Sequence, residues 1–155
     1  MAQTIQPSEL STDASVLDEL HHEIFEALVD LGSIADREFS VCYSEMVAKV
    51  ERAFAKEEEW MEKFDFPMLK GHREQHARVL RALHRTHSQA MNGYLAPGRN
   101  VVEKLLPCWL AFHICNMDMA LAGAMQVYGP EAMYSSEFKP ASVRFAPAHF
   151  PTDSA

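Results

Sequence analysis

No stretch of this chain comes near the about 18 uninterrupted apolar residues of a membrane-spanning helix, so no span is expected. The N-terminal MAQTIQPSELSTDA has neither a basic start nor an apolar run, and no signal peptide is expected there. Lysine and arginine nowhere cluster, and the formal net charge is −8, which argues against a nucleic-acid surface. Cysteine is scarce: Cys42, Cys108 and Cys115 are odd in number and fall within helical patterns. They read as free, buried thiols of a reducing cytoplasm rather than as a disulfide framework. Period-two alternation and Asn-Gly turns between β-branched runs are missing, which excludes a sheet-based fold. What is left is a chain of 155 residues, 48% hydrophobic and 23% charged. That suits one soluble, cytoplasmic domain able to bury a core without staples.

The pattern that is present is helical. Leu17, Leu20, Ile24, Leu28 and Leu31 recur at helical steps and predict a first helix, capped by Ser11 or Asp13 and stopped at Gly32. Phe39, Tyr43, Met46, Val50, Phe54, Met61 and Phe64 predict a second from about Arg37 to Phe64, broken by Asp65-Phe66-Pro67. A third runs from about Met68 to Met91, and Asn92-Gly93 with Pro97-Gly98 turns the chain. A fourth covers about Asn100 to Tyr128, with a kink or late start demanded by Pro107 and a stop at Gly129-Pro130. Four amphipathic helices on short turns make an all-α, antiparallel up-down-up-down four-helix bundle over residues 13–128. Irregular arms flank it at 1–12 and 129–155, the second expected to pack Tyr134, Phe138 or Phe145 against the bundle.

Polar residues intrude into the apolar phase of every helix. His72 and His76 are four apart between Leu69 and Leu80, so both imidazoles emerge on one face and can share an ion. Glu57 lies between Phe54 and Met61 in the inward phase, whereas Glu58 and Glu59 read as a solvated face. An unpaired carboxylate in a core is costly, and a cation resolves that cost. His21 falls inside the first apolar stripe, with His22 turned about 100° away. His113 reads equally as a hydrogen-bonded core histidine or as a ligand. Asp118 is five residues on, about 140° around an ideal helix, so periodicity does not pair the two. His84, His87 and His149 do not converge with the others. Together the inward residues describe a di-metal site in a bundle core, without the Glu-x-x-His pairs of di-iron carboxylate bundles.

Asp18-x-x-His21-x-x-Ile24-Phe25, Glu57 ahead of Met61, His72-x-x-x-His76 and Trp109-Leu110-x-x-His113-Ile114-x-x-x-Asp118 stand in an order that resembles the hemerythrin family. The resemblance is particularly to the small bacterial hemerythrins, over about residues 13–128. The resemblance implies two iron ions, oxo- or hydroxo-bridged. His72, His76 and His113 would hold one, His21 the other, and Glu57 with Asp118 would bridge them. It also implies reversible binding of O₂ as ligand, for storage, delivery or sensing, under an apolar pocket of Ile24, Phe54, Trp60, Leu110 and Ile114. The family's second helix carries His-Phe-x-x-Glu, and this chain has Ala53-Phe54-x-x-Glu57, so one terminal imidazole is lost. Water or hydroxide filling that position is the favoured outcome; a replacing side chain or a single tightly bound iron are the others. The gap motivates a second reading, a di-iron enzyme handling peroxide or nitric oxide. Iron storage or a structural zinc bundle ranks last. No nucleic-acid or membrane partner is expected.

Overall fold

The structure is a computed structural model that describes Thr12, residues 14–129, Ala132 and residues 135–137. Helix α1 spans Ser15–Ser33, α2 Asp36–Lys63 and α3 Leu69–Met91. Helix α4 runs the whole of Ala96–Tyr128. Each helix packs on the next in sequence, and α4 returns to α1, closing a four-helix bundle. Ser11, Asp13, Tyr134, Phe138, Phe145 and His149 lie outside the described residues.

Local chemistry sets the helix ends. No side chain caps α1 at Ala14. Instead, Asp18 Oδ1 in the first turn accepts from Thr12 N–H and from Thr12 Oγ1, both at 2.8 Å. Thr12, at the end of the expected N-terminal arm, is thereby buried. Helix α1 also passes through Gly32 and ends on Ile34, whose N–H donates to the Leu31 carbonyl. Arg99, in the first turn of α4, secures that end: Nη1 donates to Leu31 O at 3.1 Å and Nη2 to Ile34 O at 2.7 Å. The same Nη2 pairs with Asp36 at 2.7 Å, and the guanidinium lies 4.4 Å from the Phe39 ring centroid. Neighbouring Gly98 makes the approach feasible, since a Cβ there would sit 2.9 Å from Phe39 Cε1. The α2–α3 turn places Asp65 in the left-handed region at φ 50, as the Asp-Phe-Pro breaker suggests.

Helix α4 starts four residues before the expected Asn100 and does not stop at Pro107. Two π turns, Val101–Leu105 and Ile114–Asp118, carry it through. The first precedes Pro107, where Leu106 N–H reaches back five residues to Val101 O. A proline lacks the N–H of an ordinary helical bond and crowds the turn before it, and the wider turn absorbs both effects. Helix α4 is long and apolar enough to cross a membrane by length and composition, yet half of its most apolar window is buried inside the bundle. The three cysteines are free, but only Cys42 is half-buried; Cys108 and Cys115 are exposed on α4. Apolar phase alone put them inside, whereas the inward face of α4 belongs to Leu106, Leu110, Ile114 and Leu121.

The core divides into two apolar layers. One gathers Ile24, Leu28, Phe39, Tyr43, Val50, Phe54, Leu83, Leu106 and Ile114, and the other Leu17, Trp60, Met61, Phe64, Leu121 and Met125. On α1 the boundary falls between Leu17 and Ile24, on α2 between Phe54 and Trp60, and on α4 between Ile114 and Leu121. His21, Glu57 and Asp118 occupy those three gaps. A polar stratum is thus sealed between two apolar ones, so whatever sits there is shielded from water.

Candidate metal centre

All six residues expected to be ligands meet in that stratum. His21 is 5% exposed, His76 and His113 1%, and Glu57, His72 and Asp118 0%. Three imidazole nitrogens converge: His113 Nε2 lies 2.9 Å from His72 Nε2 and 3.2 Å from His76 Nε2. Protons shared among three such nitrogens cannot satisfy every lone pair, whereas a cation at their centre can.

The two carboxylates are each divided between opposite sides. Glu57 Oε2 faces His76 at 3.0 Å and His72 at 3.5 Å, while its Oε1 faces His21 at 3.4 Å. Asp118 Oδ1 faces His72 at 3.1 Å and His113 at 3.2 Å, while its Oδ2 faces His21 at 3.1 Å. Two overlapping donor sets result: Glu57 with His72, His76 and His113, and Glu57 with His21 and Asp118. None of these carboxylate contacts has hydrogen-bond geometry. Both oxygens of Glu57 and of Asp118 are buried without a hydrogen-bond partner, as are both ring nitrogens of His21. Buried polar atoms are seldom left so, and the donor set suits a borderline divalent transition ion. The residues present fit a metal pair.

His113 meets Asp118 because the second π turn separates them. Across Ile114–Asp118 the backbone bonds to the fifth residue back, with Met119 N–H donating to Ile114 O. A turn one residue wider returns position i+5 to the face of position i, cancelling most of the about 140° that a 3.6-residue period imposes.

Without metal, the cluster holds charge by mutual pairing. Burial pushes the His21 and His72 imidazoles down, but the pull of Asp118 and Glu57 outweighs it and raises both to about 9. Burial and the Asp118 charge push Glu57 up, and His21, His72 and His76 overcome them, holding it at about 2. Asp118 lies well below the ordinary carboxylate range: burial opposes ionisation, and His113, His21 and His72 prevail. The histidine contribution to stability is complete below 6.5 and lost as pH rises through about 9. The Glu57 contribution is complete above 4.5 and lost as pH falls through about 2. Metal-free protein is therefore expected to be most stable between pH 4.5 and 6.5 and to weaken towards pH 9. Urea unfolding in the presence of chelator checks this; a flat profile from pH 6.5 to 9 would contradict it.

Ile24, Phe54, Leu110 and Ile114 all belong to one apolar layer, while Trp60 packs in the other with Leu17 and Met61. Phe54 stacks on His76 with centroids 3.7 Å apart, and Trp109 stacks on His113 at 4.4 Å. Glu58 is a contact that sequence reasoning missed, whereas Trp109 belongs to the motif that carries His113. Glu58, expected on a solvated face, accepts from His76 Nδ1 at 2.9 Å across the α2–α3 interface. No one-helix periodicity could reveal that, because the partner is on another helix. Among the described residues, the other histidines stay outside: His22 pairs with Glu26, His84 with Glu51, and His87 Nε2 bonds Ser40 O. His22→Ala is accordingly expected to leave metal uptake unchanged, as measured by ions bound per chain, since its side chain is 60% exposed. Ala53 is fully buried one turn before Glu57, and offers no donor.

The Hemerythrin HHE cation binding domain matches residues 12–124. Bacteriohemerythrin of Ralstonia nicotianae is 32% identical over 129 residues, which cover 83% of this chain and 93% of that protein. No solved structure matches the chain. A bundle whose every helix sends donors into one sealed stratum, together with these two likenesses, places the chain in the hemerythrin family.

Proposed function

We propose that this protein binds dioxygen reversibly at two iron ions held by His21, Glu57, His72, His76, His113 and Asp118. The observation that supports it most is the division of both buried carboxylates between a three-imidazole side and the His21 side. Ferrous ions held by these six residues would supply the electrons that reversible O₂ binding needs. The chain's own residues do the rest. Glu57 and Asp118 set the spacing of the pair, and the imidazoles offer neutral donors suited to ferrous iron. Ile24, Phe54, Leu110 and Ile114 exclude water from one side, and Trp60 with Met61 from the other. Excluding water and loose protons from the stratum would protect a reduced metal pair held there from side reactions.

The experiment is anaerobic iron reconstitution followed by O₂ titration with optical detection. The expected result is about two irons per chain and a visible band that grows with O₂ and vanishes under argon. Stoichiometric zinc in protein from its native source, or no optical response to O₂, would overturn the proposal.

A second reading rests on Ala53. The His21 side has one imidazole where its opposite has three, so an ion there would be held by fewer donors of this chain. That favours a di-iron enzyme acting on peroxide or nitric oxide. Rapid bleaching of the band with consumption of added peroxide would favour this reading over oxygen carriage.

A further inference from the structure

The four ligand imidazoles are not supported alike from behind. A ring nitrogen aimed at a cation depends on the other nitrogen of the same ring, because a proton held at Nδ1 leaves the lone pair at Nε2. His76 Nδ1 lies 2.9 Å from Glu58 Oε1. Glu58 Oε2 in turn accepts from Arg73 Nε at 3.0 Å, and Arg73 Nη2 also donates to Glu62. The other rings differ. His113 Nδ1 meets the neutral Gln75 amide oxygen at 3.4 Å. Among the described residues, the Nδ1 atoms of His21 and His72 have no hydrogen-bond partner.

Geometry explains how Glu58 does this beside a buried neighbour. Consecutive residues are about 100° apart on a helix, so Glu57 points into the bundle while Glu58 lies along the α2–α3 seam. Its side chain is 26% exposed, against 1% for Glu57. Arg73 and His76 are one turn apart on α3, so both reach the same carboxylate from one helix. The result is a carboxylate that clamps the outer nitrogen of His76 and is itself held by an arginine.

We infer that Glu58 is a positioning residue for His76, buttressed by Arg73, and that this makes the side of His72, His76 and His113 the tighter of two cation subsites. The inference rests on the proposed metal-binding role. A carboxylate behind a histidine ligand fixes its tautomer, orients its ring and raises its basicity. Among the described residues the His21 side has no such support and one imidazole only, so a cation supplied in small amounts fills the His76 side first.

The test uses the full chain stripped with chelator and titrated anaerobically with Co²⁺, read by its ligand-field spectrum and by a competing chelator. Glu58→Ala is expected to weaken the first, tighter binding event about 10–100-fold. Glu58→Gln keeps an oxygen that accepts from Nδ1–H, and is expected to restore affinity to within a few-fold. Nitrogen-15 NMR of the metal-free protein supplies a second readout that loosened packing would not mimic. His76 is expected to carry its proton on Nδ1 in the wild type and in Glu58→Gln, and to show mixed tautomers in Glu58→Ala. Wild-type Co²⁺ affinity in Glu58→Ala, or a Glu58→Gln variant as weak as Glu58→Ala, would overturn the positioning role while leaving metal binding intact. Failure of the wild-type chain to bind Co²⁺ would overturn both.

Discussion

Glu57→Gln is expected to cost the protein both cations of the proposed pair, taking the iron content after reconstitution from the proposed about two ions per chain to less than one. Glu57 is shared by both donor sets, with Oε1 towards His21 and Oε2 towards His72 and His76. Glutamine keeps the shape and one acceptor, but removes the negative charge and turns an N–H₂ towards donors of its own kind. His76→Ala is the informative contrast, since His76 belongs to one donor set only. It is expected to abolish loading of the pair by removing the tighter ion, leaving His21 with Glu57 and Asp118 as a weak residual site. Metal analysis after gel filtration separates the two variants. Full occupancy in Glu57→Gln would mean that this carboxylate does not bridge. Between pH 4.5 and 6.5, where Glu57, His21 and His72 all hold their charges, metal-free Glu57→Gln should also lose about 3–5 kcal/mol, because a buried ion cluster is left one partner short.

Ala53→His should act in the opposite direction. Position 53 lies four residues before Glu57 on the same helical face and is fully buried. A histidine there would give the His21 side a second imidazole. The second cation is expected to bind at least about tenfold more tightly, roughly 1.4 kcal/mol. Oxidation of reduced, iron-loaded protein in air should slow as well. The same substitution forces a ring into a space that now holds a methyl group, at about 1–3 kcal/mol in the metal-free state. Lower melting without metal, together with tighter second-ion binding, is therefore the signature. Unchanged affinity at the second site would show that position 53 faces the apolar layer rather than the cations.

Much of this architecture was legible in the residues themselves. The stripe from Leu17 to Leu31 and the one from Phe39 to Phe64 place α1 and α2 to within a few residues. The His72-x-x-x-His76 spacing places two imidazoles on one face, where the structure keeps both buried. Helix ends were less legible, because their partners are remote. The end of α1 is held by Arg99, far along the chain on α4, and not by the nearby Gly32. The cysteines on α4 were misread for a related reason: a helix apolar over most of its circumference does not announce which side is inward.

The amino-acid sequence alone determined four helices and the residue types that line their inward faces, because 3.6-residue periodicity is a local property of the chain. Tertiary structure decided which of those residues meet. Asp118 joins His113 only because a π turn widens α4 between them, and Glu58 reaches His76 only because α2 and α3 lie side by side. Both depend on backbone geometry and packing summed over the whole bundle, which no window of one helix contains.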